Sequence, residues 1–311
     1  MDRIATNSLY STFLNNLFQA EAAQTQATTQ LSTGQVATDL KGFGGATETL
    51  LALQNTQTSV TAFANQNQIV GDKLVAQDTA LNQVASAADG AGAAIRGAIA
   101  SGDGTTLMQS LQNELQNAVQ GLNTTFNGQY LFSGGQVNTP ATSAANLTDL
   151  TAAPSIASLF NNDQHVATNQ INGQTAIQSG FLASNVATPL YTALQAIEAY
   201  AQGPNGPFNG PLTVAQAAFL QSTLAGLTTV HSNLDNVVGQ NGLLQAQVTN
   251  ATTDLTNQQT QLQGMLGGIT DANMAQAATN LQQAQLAIQA AGQVFVALRS
   301  TTLLNTLSTT G

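Results

Sequence analysis

No cysteine occurs in the 311 residues. That absence excludes disulfides, thiolate metal sites and cysteine nucleophiles together. Tryptophan is missing too, and histidine occurs only as His165 and His231. Charge is scarce: five Lys or Arg and 15 Asp or Glu make up 6% of the chain, where a soluble domain carries about a quarter. The net charge of −10 argues against nucleic acid, because phosphate binding needs clustered cations. It disfavours an anionic membrane surface for the same reason. No run approaches the roughly 18 apolar residues of a membrane span. The first residues, Met1 to Ser8, lack the basic start and apolar core of a secretory signal, so any export is expected to proceed without a cleaved signal peptide.

Proline is absent from the first 139 and the last 100 residues; all six prolines lie between Pro140 and Pro211. Proline breaks helix interiors at a cost of about 3 kcal/mol, so both flanks are free to form long helices. Ser, Thr, Asn and Gln supply about 40% of the sequence in place of ions. The 42% hydrophobic content is enough to build a core.

The apolar residues of the flanks recur at alternating spacings of three and four. One seam runs Tyr10, Phe13, Leu17, Ala20, with Ala27 and Leu31 beyond, and Gly34 suits the left-handed cap that ends a helix. Another runs Met274, Ala277, Leu281, Ala284, Ile288, Ala291, Phe295 and Leu298. Between them Leu234, Val237, Asn241, Leu244, Val248, Ala251, Leu255, Gln258, Leu262, Met265 and Ile269 keep a heptad register. Thr213 to Gln216 forms a capping-box pattern, which predicts a helix of more than about 50 residues from there. A matching helix is predicted over about 45–100, and a second capping box, Thr106 to Gln109, opens another. In the middle, Asn172-Gly173 between short alternating segments predicts a β-hairpin. Thr188-Pro189 predicts the start of a short helix.

The expected fold is mainly α. Both chain ends form a long antiparallel helical bundle or coiled coil, with a small β-containing domain inserted in the middle. The expected divisions are a terminal coiled-coil domain (1–40 with 271–311), a helical core domain (41–128 with 211–270) and an inserted outer domain (129–210).

Chemistry is sparse. His231 falls on a seam between Leu227 and Leu234, as a packed or hydrogen-bonded histidine does. His165 lies beside Asp163 in an irregular stretch, and its expected state is that of a solvated loop residue. The glycines after Lys41 lack the Gly-Lys-Ser/Thr ending of a phosphate loop. Ser133-Gly134-Gly135 lacks the strand-turn-helix context of a hydrolase nucleophile. An enzyme is not expected, and no catalytic, cofactor-binding or metal-ligating residues are assigned.

Three segments carry a family resemblance. Gln30-Leu31-Ser32-Thr33-Gly34 resembles the turn after the first helix of bacterial flagellins and hook-filament junction proteins. Gly121 to Gly135, containing Phe126-Asn127-Gly128 and Tyr130-Leu131-Phe132-Ser133-Gly134, is similar to the segment where their core meets the outer domain. The stretch from Asp271 through Ala284-Gln285-Leu286 to Leu303-Leu304-Asn305 resembles their terminal helix. The ending Phe295 to Leu304 and the Tyr130 segment look more like the junction, or FlgL, type of the flagellin superfamily than flagellin itself. After Gly34 the sequence departs from both, with Gln35 and Ala37-Thr38-Asp39-Leu40-Lys41 replacing the usual basic residue and paired aspartates.

The resemblance implies a self-assembling, extracellular structural subunit of the bacterial flagellum that joins hook to filament, serves motility and leaves the cell through the flagellar type III system. Its implied partners are copies of itself in a ring or helical lattice, a neighbouring hook-associated protein, flagellin and an export chaperone. No cofactor, nucleic acid or membrane enters. Two alternatives stand beside it: flagellin, and a secreted adhesive or glycan-binding module on a helical stalk, with Tyr130, Phe181 and Tyr191 lining its site. The apolar stripes exceed what one narrow hairpin can bury. Phe13, Leu17, Ile288, Phe295, Leu298, Leu303, Leu304 and Leu307 are therefore the expected subunit-interface residues.

Overall fold

A computed structural model describes residues 2–308, with side chains described from 10 to 297. Seven helices dominate it: α1 (Asp2–Thr33), α2 (Thr47–Ser101), α3 (Leu107–Leu122), α4 (Leu147–Ala152), α5 (Ala183–Gln202), α6 (Val214–Thr270) and α7 (Met274–Ser308). Two small antiparallel ribbons join them, β1 (Thr125–Phe126) with β2 (Gln129–Tyr130), and β3 (Thr168–Gln170) with β4 (Ala176–Gln178). The mainly α fold expected from the proline-free flanks is present, with paired chain ends and strands confined to the middle. The chain forms two compact units, one of residues 1–59 with 258–311 and one of residues 60–257.

In the first unit α1 and α7 run antiparallel. Gly34 ends α1 with φ +71°, and its N–H donates to Gln30 O at 2.9 Å, the predicted left-handed stop. The chain then pairs with the turn between α6 and α7: Val36 N–H donates to Thr270 O at 2.7 Å, and Ala272 N–H to Gly34 O at 2.8 Å. Ala20 and Ala27 on α1 and Ala277 and Ala284 on α7 are buried. Small residues at the seam let the two backbones approach.

In the second unit the last part of α2 lies antiparallel to the first part of α6. Asn241 Nδ2 donates to Leu74 O at 2.9 Å, and His231 Nδ1 lies 3.2 Å from Ala85 O. One core runs from Leu81, Val84 and Ile95 through Leu111 and Leu115 of α3 to Leu190, Leu194 and Ile197 of α5 and Leu220 of α6. The middle of the chain joins this core through Phe132, Leu150 and Tyr191. Tyr191 stacks on Phe160 at 5.1 Å between centroids and donates its hydroxyl to Thr142 Oγ1 at 3.2 Å. A smaller cluster seats the β3–β4 ribbon, with Ile171 and Ile177 packed with Val70, Leu74 and Val248.

The capping box at α6 forms as the spacing predicts. Thr213 N–H donates to Gln216 Oε1 at 2.9 Å, and Gln216 N–H to Thr213 Oγ1 at 3.2 Å. Gln216 Nε2 also donates to Asn205 O at 2.8 Å, tying the preceding loop to the helix start.

Two local expectations fail, and a third is met in altered form. Thr106 sits at φ −97°, ψ −7°, already near helical dihedrals, and makes no side-chain cap; Gln109 turns instead to Asn113. Helix α5 begins six residues before Pro189, which lies inside it. The hairpin predicted around Asn172-Gly173 forms, β3 with β4, but through the longer connection 171–175, where Asn172 Oδ1 accepts the N–H groups of Gln174 and Thr175. The two-residue turn lies at Asn127-Gly128, with φ +51° and +78°, the pair of positive angles a type I′ hairpin requires.

Helix threonines share a habit. Thr25, Thr28, Thr56, Thr58, Thr228, Thr249 and Thr252 each donate their hydroxyl to the carbonyl four residues earlier, at 2.8–3.0 Å.

Candidate assembly surface and a cation-bearing cavity

The α1–α7 pair places Phe13 against Phe295, with ring centroids 6.2 Å apart and planes 21° apart. Phe13, Leu17 and Ile288 are half-buried, and Phe295 remains 41% exposed. These four share one helix pair, so part of their apolar surface is already used within the chain. The side chains of Leu298, Leu303, Leu304 and Leu307 lie outside the described residues. More apolar surface sits off the seam: Phe18 is 60% exposed, and Leu286 and Val296 are each 67% exposed. The seam count passed over these three. Their signal was an apolar side chain at a position where a two-helix hairpin needs none.

A groove of about 340 Å³ opens between the same helices, lined by Ala20, Ala27 and Gln30 on one side and Gln283, Ala284 and Ala287 on the other. Its polar groups are neutral amides. Packing another uncharged helix there desolvates no ion, which removes the main penalty of burying a polar surface.

The second unit holds a cavity of about 410 Å³. Ile69 and Lys73, one turn apart on α2, form one wall; Phe126 and Tyr130 from the β1–β2 ribbon form another, and His165 and Phe181 complete the lining. Burial holds the Lys73 ammonium below its ordinary pKa, since partial loss of water disfavours the charged form. Nearby Asp163 Oδ1 accepts the N–H of Gly135 at 2.8 Å and that of His165 at 2.9 Å, which keep its carboxyl below the usual range. Asp163 is thus committed to the loop. Of the three aromatic residues expected at a binding site, Tyr130 and Phe181 meet here. Tyr191 does not, because its ring and hydroxyl are consumed in the core.

His231 bridges Ala85 O and Asp235, 3.5 Å from its Nε2, as a hydrogen-bonded seam histidine. Among the described residues no group of three His, Asp or Glu could hold a metal ion, and no helix is long and apolar enough to cross a membrane.

Residues 4–137 match the bacterial flagellin N-terminal helical region, and residues 224–307 match the bacterial flagellin C-terminal helical region. The chain belongs to the bacterial flagellin family. Both flagellin models fall on the helical flanks, and 138–223 lies outside them. No curated protein matches the sequence. Among solved structures, a protein from Vibrio parahaemolyticus described as flagellar hook-associated superposes with a TM-score of 0.59 at 13% identity, over 72% of this chain and 97% of that one. FlgL from Bacillus cereus superposes with a TM-score of 0.53 at 12% identity, over 68% of this chain and 97% of that one. At such identities the likeness is one of fold. The flagellin family's polymerising, flagellar setting gives the exposed apolar face of α1 and α7 its context.

Proposed function

We propose that the chain is a structural subunit joining the flagellar hook to the filament, assembled with copies of itself outside the cell. The observation that carries this reading is the pairing of α1 with α7, which leaves Phe18, Leu286 and Val296 facing out beside the half-buried Phe13, Leu17 and Ile288. Apolar side chains spread along a helix pair favour burial against further helices. Heterologous contacts of that kind close into rings or propagate into helical lattices. Phe13, Leu17, Ile288 and Phe295 are its proposed contact residues, together with the expected Leu298, Leu303, Leu304 and Leu307. The fold shared with hook-associated and FlgL proteins favours the junction role over that of the filament subunit. Export by the flagellar type III system with a chaperone, and contact with a hook-associated neighbour and flagellin, follow from the same reading. So does its proposed domain plan, with 1–40 and 271–311 as the polymerising part and 129–210 as the outer part.

Purified chain mixed with hook and filament seeds tests it. A short layer between the two supports the junction role, and long self-growth on filament ends indicates a flagellin. A chain lacking residues 275–311 should remain a soluble monomer that does not assemble; normal assembly of that truncation overturns the proposal.

A further inference from the structure

Residues 60–257 contain two Lys or Arg side chains, Lys73 and Arg96. Arg96 Nη2 lies 3.1 Å from Asp89 Oδ1. Lys73 makes no ion pair or hydrogen bond among the described residues, although the same unit holds ten Asp or Glu. An ammonium taken partly out of water normally finds a carboxylate or a set of carbonyls. Here Lys73 lines a 410 Å³ cavity together with Phe126, Tyr130, His165 and Phe181 and the neutral amides of Asn127 and Gln129.

The size of the cavity, its largely apolar walls and one lysine among its few polar groups are the features of a small-molecule site. The lysine sets the ligand's charge. One ammonium balances one negative charge; a phosphate dianion would leave a second charge uncompensated among aromatic walls. The walls set the body, since three aromatic side chains offer flat apolar faces to a ring, and the two amides can bond hydroxyls at its edge. The cavity draws on both the matched and the unmatched stretches of the chain. Lys73, Phe126 and Tyr130 come from the part matching the flagellin N-terminal region, whereas His165 and Phe181 come from the stretch outside both matched regions.

We propose that this cavity binds a small ring-bearing monocarboxylate, with Lys73 pairing to the carboxylate and Phe126, Tyr130 and Phe181 enclosing the ring. Two sources share that chemistry, an aromatic acid and a sugar acid.

The full chain, titrated by calorimetry with benzoate, glucuronate, benzyl alcohol, glucose and inorganic phosphate, decides it. One acid is expected to bind at one site per chain, at least tenfold more tightly than its neutral counterpart and than phosphate. Saturation by benzoate identifies an aromatic acid, and saturation by glucuronate a sugar acid. Lys73→Gln should weaken that acid by about 10- to 100-fold, the range for losing a hydrogen bond to a charged group. Lys73→Arg should keep the preference for acid over neutral analogue, and Phe181→Ala should weaken acid and neutral analogue alike. Circular dichroism of each variant checks that the fold is retained. Failure of both acids to saturate, or equal binding by a folded Lys73→Gln chain, overturns the proposal.

Discussion

Phe13 of α1 and Phe295 of α7 stack across the antiparallel chain ends, ring centroids 6.2 Å apart. An aromatic pair contributes about 0.5–1.5 kcal/mol beyond its area burial. The stack adds to the buried alanine contacts that hold the two helices together. Phe13→Ala and Phe295→Ala are each expected to slow assembly onto seeds, and the double variant to lose less than the sum of the two. Strictly additive losses in such a cycle would mean that the rings act independently on the neighbouring subunit.

The groove between these helices is lined by uncharged amides, including Gln283. Gln283→Lys places an ammonium where another helix is expected to pack. The exposed site tolerates it in the monomer, so circular dichroism should be unchanged while sedimentation shows impaired assembly. Assembly at the unaltered rate would move the subunit contact away from this groove.

Gln77 is fully buried on α2, and neither atom of its amide has a hydrogen-bond partner. A buried amide left unpaired costs about 1–3 kcal/mol. Gln77→Leu keeps the volume similar and removes that cost, so the urea midpoint should rise with the slope unchanged. A lower midpoint would reveal that buried water serves the amide.

Burial pushes the Tyr191 hydroxyl up to about 12 from an ordinary value of 10.0, against the opposing hydrogen bond to Thr142. Because the folded value lies above the unfolded one, this contribution is fully present below pH 10 and is lost as pH rises through about 12. A shift of two units is worth roughly 2–3 kcal/mol at full loss. Ultraviolet titration should show one tyrosine ionising only as the unit unfolds, and Tyr191→Phe should remove that late step. Early titration of all four tyrosines would contradict the burial.

Long-period features were legible in the sequence because they repeat. The absence of proline up to Thr139 and the heptads from Leu234 announced α2 and α6, and Gly34 and Thr213 marked ends through local hydrogen bonds that neighbouring residues supply. Single-site signals fared worse where packing competed. Pro189 is a strong helix breaker locally, yet Ala183, Val186, Ala187 and Leu190 gain enough from burial to carry α5 through it. Asn172-Gly173 and Asn127-Gly128 carry the same turn letters, and only the second has strands in two-residue register. The cavity was illegible altogether. Its walls come from Ile69 to Phe181 across helix, ribbon and loop, and no spacing in the chain records that meeting.

The threonines of α1, α2 and α6 that bond back to their own helix carry one last implication. A hydroxyl turned onto the carbonyl four residues earlier has spent its proton, and what it shows the outside is chiefly a methyl group. These helices count as polar by composition but offer a neighbour a skin of small, uncharged knobs. With 6% of residues charged, added salt finds few fields to screen. Contacts made by such a skin should hold from dilute water to brine.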